Sequence, residues 1–237
     1  MFDPYEKMVG GFSASDGTID FYLRVRSILR PENTVLDFGA GRAGWYEDDA
    51  CNIRRELRTL TGEGRRVIAL DVDPAVLANR ACDEARLIVD GKTDLPKNCA
   101  DLIVADYVLE HIEDPTLFAI EVDRLLKKGG WFCARTPHRL SYPALVSAAL
   151  ANKRHATVLA RVQPERKECD VFPAVYKMNT LRSVRKLFPG WENMSFLYRA
   201  DPSYFFGNRY IFFAQSIFHY FLPRIFCGNI FIFLKKK

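Results

Sequence analysis

The chain has 237 residues, 49% hydrophobic and 27% charged, with no low-complexity tract or internal repeat. That composition is ordinary for a soluble globular protein with one large α/β core, and it excludes a repeat array or a disordered chain. The net charge of +5 conceals two unlike halves: residues 1–134 hold 17 Lys and Arg against 24 Asp and Glu, whereas residues 135–237 hold 17 against 5. A basic C-terminal half is either a solvated face or a surface that attracts an acidic substrate or an anionic partner. The six cysteines are scattered and never form C-x-x-C, so they read as reduced thiols of a cytosolic protein, not as zinc ligands or disulfides. The stretch MFDPYEKMVGG has neither the basic start nor the apolar run of a secretion signal, and the expected location is cytoplasmic.

In chain order, residues 16–30 carry apolar positions at helical spacing, with Asp16 as the N-cap and Pro31 beyond the end. TVLDF is a buried strand that runs into the glycine loop 39–44, and a short helix is predicted near Ile53–Leu60. RVIALDV is the second strand, Pro74 opens a helix through about Cys82, and ARLIVD and ADLIVADYV are the third and fourth strands. FAIEVDRLLKK is helical, with Gly129 and Gly130 as its cap, and WFCARTP is the fifth strand. Alternation of strand and helix predicts a doubly wound, mostly parallel sheet. From Tyr142 to about Asp170 a helical insertion and a charged loop are expected. Then follow a helix (TLRSVRKLF), a sixth strand (NMSFLYR), a very apolar segment and a last strand (NIFIFL). The apolar segment, YFFGNRYIFFAQSIFHYFLPRIF, is interrupted by Arg209, Gln215 and His219 and ended by Pro223. It reads as a buried helix too short for a bilayer span, the other reading being a peripheral membrane contact helped by Lys235, Lys236 and Lys237.

VLDFGAGRAG places Gly39, Gly41 and Gly44 at G-x-G-x-x-G spacing, the pattern of a dinucleotide loop. Asp37, two residues before the first glycine, argues against that use, because a carboxylate there repels a pyrophosphate. It suits a ligand with an ammonium group, such as S-adenosylmethionine. Asp71, at the end of the second strand, can accept both ribose hydroxyls in either kind of site. It lies 27 residues beyond Gly44, farther than the roughly 20 of a compact dinucleotide unit.

Taken together, these motifs resemble those of the class I S-adenosylmethionine-dependent methyltransferases. VLDFGAGRAG is similar to their first motif, which puts Asp37, Gly39, Ala40 and Gly41 against the cofactor. VIALDVDP is similar to the second, with Asp71 on the ribose and Val72 on the adenine. LIVDGKTDLP is similar to the third, with Asp90 toward the adenine amino group and Gly91 after it. DLIVADYVLEHIEDP and LLKKGGWFCARTPH resemble the next two, where Asp106 and Tyr107 end the fourth strand beside the cofactor cleft and Tyr107 is either core or lid. The resemblance covers residues 35–138. It implies a Rossmann-like, seven-stranded sheet with an antiparallel C-terminal strand, in a single domain. That domain would comprise an N-terminal helical region (1–34), a cofactor-binding core (35–138), a substrate-side insertion (139–180) and C-terminal strands with the apolar helix (181–237). The marks TPH, QPERKECDVFP, YKMNT and the terminal LPRIFCGNIFIFLKKK are also similar to methyltransferases of bacterial polysaccharide and glycolipid assembly.

Methyl transfer from a sulfonium needs alignment first and a base only for a hydroxyl or a protonated amine. His138, after the fifth strand, is the first candidate base and His111 the second. Arg135, Arg139, Arg161, Arg166 and Lys167 flank or occupy the insertion, where arginines can clamp a phosphate or carboxylate. Tyr142 and Tyr204 line the acceptor entrance or belong to the core. The expected acceptor is a saccharide or other small acidic molecule, methylated on oxygen or nitrogen, with no metal. The alternatives are a nucleic-acid or protein methyltransferase and, less favoured, an NAD-dependent oxidoreductase.

Overall fold

The computed structural model describes residues 2–142, 144–145, 174–202 and 205–237. The strands are β1 (Thr34–Phe38), β2 (Arg66–Asp71), β3 (Glu84–Leu87), β4 (Ala100–Asp106), β5 (Leu126–Pro137), β6 (Glu192–Asn193), β7 (Phe196–Arg199) and β8 (Gly228–Lys235). They form one sheet in the order β3-β2-β1-β4-β5-β8-β6, with β7 also paired to β8. Pairing is parallel from β3 to β5 and antiparallel at β8. Strands β6 and β7 pair with β8 in one continuous register, Glu192 opposite Lys235 and Phe196 opposite Phe231. They are one strand interrupted at residues 194–195, so the sheet has the seven positions predicted.

The helices are α1 (Gly17–Ile28), α2 (Trp45–Asp48), α3 (Asn52–Arg58), α4 (Pro115–Leu125), α5 (Leu181–Leu187), α6 (Arg209–Phe221) and α7 (Arg224–Cys227). Asp16 caps α1 by accepting from the Thr18 and Ile19 amides, and Asp114 caps α4 in the same way. Alternate strand residues face two layers. Leu36, Phe38, Ile103, Phe132 and Ile232 pack with Phe118 and Val122 of α4 and Val184 of α5. Val35, Leu102, Val104, Cys133 and Phe231 pack with Phe21, Tyr22 and Val25 of α1 and Leu57 of α3. Burial on both faces is why these strands read as continuous apolar runs.

Four expectations need correction. The helix from Pro74 is a 3-10 turn, Pro74–Ala78, that stops at Asn79 because the Asn79 side chain bonds to the glycine loop instead. Strand β3 ends at Leu87, since Val89 and Lys92 exchange hydrogen bonds across a tight turn at Asp90-Gly91. Gly129 and Gly130 do not cap α4, whose C-cap is Leu126. They lie within β5, where its register against β4 shifts between Leu126 and Trp131 and the extra residues loop out, with the Gly129 amide bonded to the Lys236 carbonyl.

The apolar segment is helical, yet it is not buried: in α6 only Phe212 and His219 are covered, while Tyr210, Phe213, Ile217 and Phe221 are each more than half exposed. Its inner side rests on Phe2 and Tyr5 from the N-terminal segment, not under the sheet. The helical insertion expected after β5 lies mostly outside the described residues. Among the described residues no helix is long and apolar enough to cross a membrane.

Candidate active site

The strand order reverses between β1 and β4, and ligands of open α/β sheets bind beyond the carboxyl ends of the strands at such a point. Asp37 stands near the end of β1, Asp71 at the end of β2 and Asp106 at the end of β4, so the topology gathers three carboxylates at one edge.

The loop after β1 is shaped by two left-handed glycines, Gly39 at φ +68° and Gly41 at φ +49°. A Cβ on Gly39 would stand 2.3 Å from the Val108 Cγ2, so the backbone passes closer to Val108 than any side chain allows. The amide hydrogens of this loop are already engaged. Those of Gly39 and Ala40 go to the Leu70 carbonyl, at 2.7 and 3.3 Å, and that of Gly41 goes to Asp71 Oδ2 at 2.8 Å. Asn79 Nδ2 donates to the Gly41 carbonyl at 3.0 Å and fixes the loop from below. A pyrophosphate cradle needs those amides free. Here Asp71 holds the loop with one carboxylate oxygen and the Asp73 amide with the other, at 2.9 Å. Each oxygen keeps a second lone pair for a ribose hydroxyl.

Asp37 is half-buried. Burial, helped by the negative charges of Asp106 and Asp71 and opposed by Arg58, raises its carboxyl to about 7. A cation arriving beside it would restore the full charge. Asp106 behaves differently. Burial alone would raise it, but the Arg135 guanidinium grips both its oxygens at 2.7 and 2.8 Å and holds it below the ordinary carboxylate range. Arg135 is 3% exposed and also donates to the Thr18 hydroxyl. It is therefore a buried strut between β5, β4 and α1, not the acceptor clamp expected. Tyr107, at φ +58° and 40% exposed, lies against the Arg135 guanidinium and accepts a hydrogen bond from Asn229 at 2.8 Å.

Val72 is 61% exposed beside Asp71, an apolar surface open to a flat ring. Asp90 and Gly91, both left-handed at φ +51° and +72°, form an exposed turn after β3. His138 is 7% exposed: its Nδ1 accepts from the Leu140 amide at 3.2 Å and its ring also bonds to the Ile225 backbone. Burial keeps it below the usual histidine range. Its contacts fasten the end of β5 to α7. His111 is half-buried on the 3-10 turn Leu109–His111 that follows β4. Tyr142 packs its ring 5.3 Å from that of His219 in α6. Arg166, Lys167 and Tyr204 lie outside the described residues.

Three residues of this edge escape sequence reasoning. Arg58 of α3 spans the rings of Trp45 and Tyr22, stands 3.9 Å from Asp106 and leaves its buried Nε without a partner among the described residues. Asn79 locks the loop. Glu110, 5% exposed, accepts from the Thr136 hydroxyl at 2.9 Å, while its backbone carbonyl accepts from the Val175 and Tyr176 amides. That joins the turn after β4 to residues 174–180, the far end of the insertion. The only signal for Arg58 in the sequence is a charged helix, and for Glu110 an acid within an apolar run.

A loop with its amides spent and carboxylates on both sides suits an amino-acid sulfonium. Residues 48–134 match a methyltransferase domain. The match begins just past the glycine loop, and S-adenosylmethionine is the cofactor of such domains. The chain is also 34% identical over 82 residues to a Mycolicibacterium smegmatis protein described as a "probable S-adenosylmethionine-dependent methyltransferase". That similarity spans 33% of this chain and 32% of the relative's length. Among solved structures, an S-adenosylmethionine-dependent methyltransferase from Archaeoglobus fulgidus superposes with a TM-score of 0.55 at 14% identity, covering 92% of both chains. SpnF, described as a [4+2]-cyclase, superposes at 0.56 with 16% identity, over 100% of this chain and 87% of its own. These likenesses show the class I methyltransferase fold, and the second shows that the fold alone does not name a reaction.

Proposed function

We propose that the protein transfers a methyl group from S-adenosylmethionine to an oxygen or nitrogen of a saccharide or another small acidic acceptor. The observation that carries the cofactor half of this reading is the engaged loop: the Gly39, Ala40 and Gly41 amides serve the protein itself, and Asp37 stands where a pyrophosphate would be repelled. When bound, the cofactor supplies an electrophilic methyl on sulfur. Asp37 would hold its ammonium, the unpartnered Arg58 Nε its carboxylate, and Asp71 its ribose, with Val72 against the adenine. The remaining task of the chain is to align the acceptor and exclude water, with the partly exposed Tyr107 as the side chain that would close over the edge.

The acceptor half rests on charge. Residues 135–237 carry a net +12, which favours an acidic molecule approaching from the insertion side, with Arg166 and Lys167 toward its anionic group. Calorimetry with S-adenosylhomocysteine, S-adenosylmethionine and NAD tests the first half. Tighter binding of NAD than of S-adenosylhomocysteine overturns it. Incubation with labelled S-adenosylmethionine and separate pools of acidic saccharides, protein and RNA tests the second. Label in RNA or protein alone replaces the small acceptor. With a saccharide as acceptor, Arg166→Ala raises its KM and leaves kcat unchanged.

A further inference from the structure

The exposed face of α6 has no counterpart in the methyl-transfer chemistry. The helix has 13 residues, about 20 Å of length, too short to cross a bilayer. Tyr210, Phe213, Ile217 and Phe221 recur at helical spacing along one side and are 69%, 57%, 64% and 77% exposed. Soluble proteins rarely leave so continuous an apolar stripe in water. The opposite side is anchored: Phe212 packs on Phe2 and Tyr5, His219 Nδ1 lies 3.2 Å from the Ala200 carbonyl, and the Arg199 guanidinium donates to the Tyr220 and Leu222 carbonyls. The stripe is thus presented on a fixed helix.

Charge selects the occupant. From Pro202 to Lys237 there is no Asp or Glu, while Arg209 and Arg224 stand exposed at the two ends of the stripe. A second copy docking face to face would bring these arginines against each other. A surface that is apolar within and negative at its boundary would satisfy both. We propose that α6 docks the protein onto an anionic lipid bilayer, lying in the headgroup plane with its aromatic stripe below it. Lys235, Lys236 and Lys237 take no part. They lie at the opposite end of β8 from α7, and Lys236 bonds to the Asp123 and Leu126 carbonyls there. Helix α7 leads into β8 where Asn229 faces Pro137, at the carboxyl edge of β5. The bilayer would therefore lie beside the cofactor edge and not behind it.

The test is flotation of the full chain with vesicles of phosphatidylglycerol and phosphatidylcholine, and with phosphatidylcholine alone. The wild-type protein is expected to float with the anionic vesicles, more weakly with the neutral ones, and less in high salt. The double variant Phe213→Ser, Phe221→Ser should partition at least about tenfold more weakly, with S-adenosylhomocysteine binding retained as the measure of folding. Arg209→Glu with Arg224→Glu should remove the anionic preference alone. Absence of flotation with both vesicle types overturns the proposal, as does equal flotation of the double serine variant. Dimerisation by light scattering that the double serine variant abolishes overturns it too, since a second copy would then cover the stripe.

Discussion

Asp106 and Arg135 form a two-point ion pair, 2.7 and 2.8 Å long, between adjacent strands, with side chains only 6% and 4% exposed. A pair of this kind is costly to break from one side, because the remaining charge is left buried without a partner. Arg135→Ala should cost about 3–5 kcal/mol. Replacing both residues, as Asp106→Leu with Arg135→Met, should cost much less than the sum of the single changes. Urea unfolding of the two single variants and the double variant measures this. An Arg135 that bound the acceptor would instead show a raised acceptor KM at unchanged stability.

Gly39 and Gly62 separate two costs of adding a methyl group. Both are left-handed, at φ +68° and +82°, but a Cβ at Gly62 meets nothing within 4 Å, whereas one at Gly39 runs into Val108. Gly62→Ala should cost only the backbone strain, about 1–2 kcal/mol. Gly39→Ala should cost more and should also displace the loop, so that S-adenosylhomocysteine affinity falls at least about tenfold, a loss of about 1.4 kcal/mol. Unfolding and calorimetry on the two variants give both readings.

The parallel core was legible because strands buried on both faces must be apolar throughout, as VLDF and DLIVA are. The place of Asp37 and Asp71 at the carboxyl edge was legible because each is a charge near the end of such a run, where the chain leaves the sheet. Arg58 and Glu110 were not, since what gives them meaning is a partner far along the chain: Asp106 for one, Thr136 and the residues after the insertion for the other. The glycine pair at 129–130 was misread for a different reason. Local turn chemistry suggests a helix cap, whereas strand pairing had already begun at Leu126. The apolar periodicity of α6 correctly gave a helix but carries no information on whether its face has a neighbour.

If Asp37 holds the cofactor's ammonium, cofactor binding and stability should depend on pH in opposite directions. Its folded pKa is about 7 against an ordinary 3.8, so between these values the folded state holds more protons than the unfolded one. Stability contributed by this group is therefore greatest at low pH and declines as pH rises through that window. An ammonium ligand favours the charged carboxylate, so S-adenosylhomocysteine affinity should fall below pH 7, by at most about tenfold per unit. Asp37→Asn should weaken that affinity by about 1.5–3 kcal/mol and abolish its pH dependence, while raising the stability of the ligand-free protein at pH 8. His138 and His219, both shifted down by burial, tilt stability the other way. The reading is therefore the difference between wild type and variant across pH, obtained by thermal unfolding and calorimetry.

The two histidines nearest the edge make opposite forecasts. The His138 ring is bonded to the Leu140 amide and the Ile225 backbone, so it ties β5 to α7. His138→Asn should lower stability by about 1–2 kcal/mol through these lost bonds and leave the shape of the kcat pH profile as it is. His111 sits half-buried on the turn that directly follows Asp106 and Tyr107. If the acceptor is a hydroxyl, a proton must leave as the methyl arrives, and a positioned base contributes roughly 10²–10⁴-fold. His111→Ala should then reduce kcat within that range, remove the acid limb of the profile and leave S-adenosylmethionine affinity nearly unchanged. A His138→Asn variant that keeps full stability but loses the acid limb would return the base to His138. Loss of the limb in neither variant would mean that this enzyme works by alignment alone, on an acceptor already ionised or already a free amine.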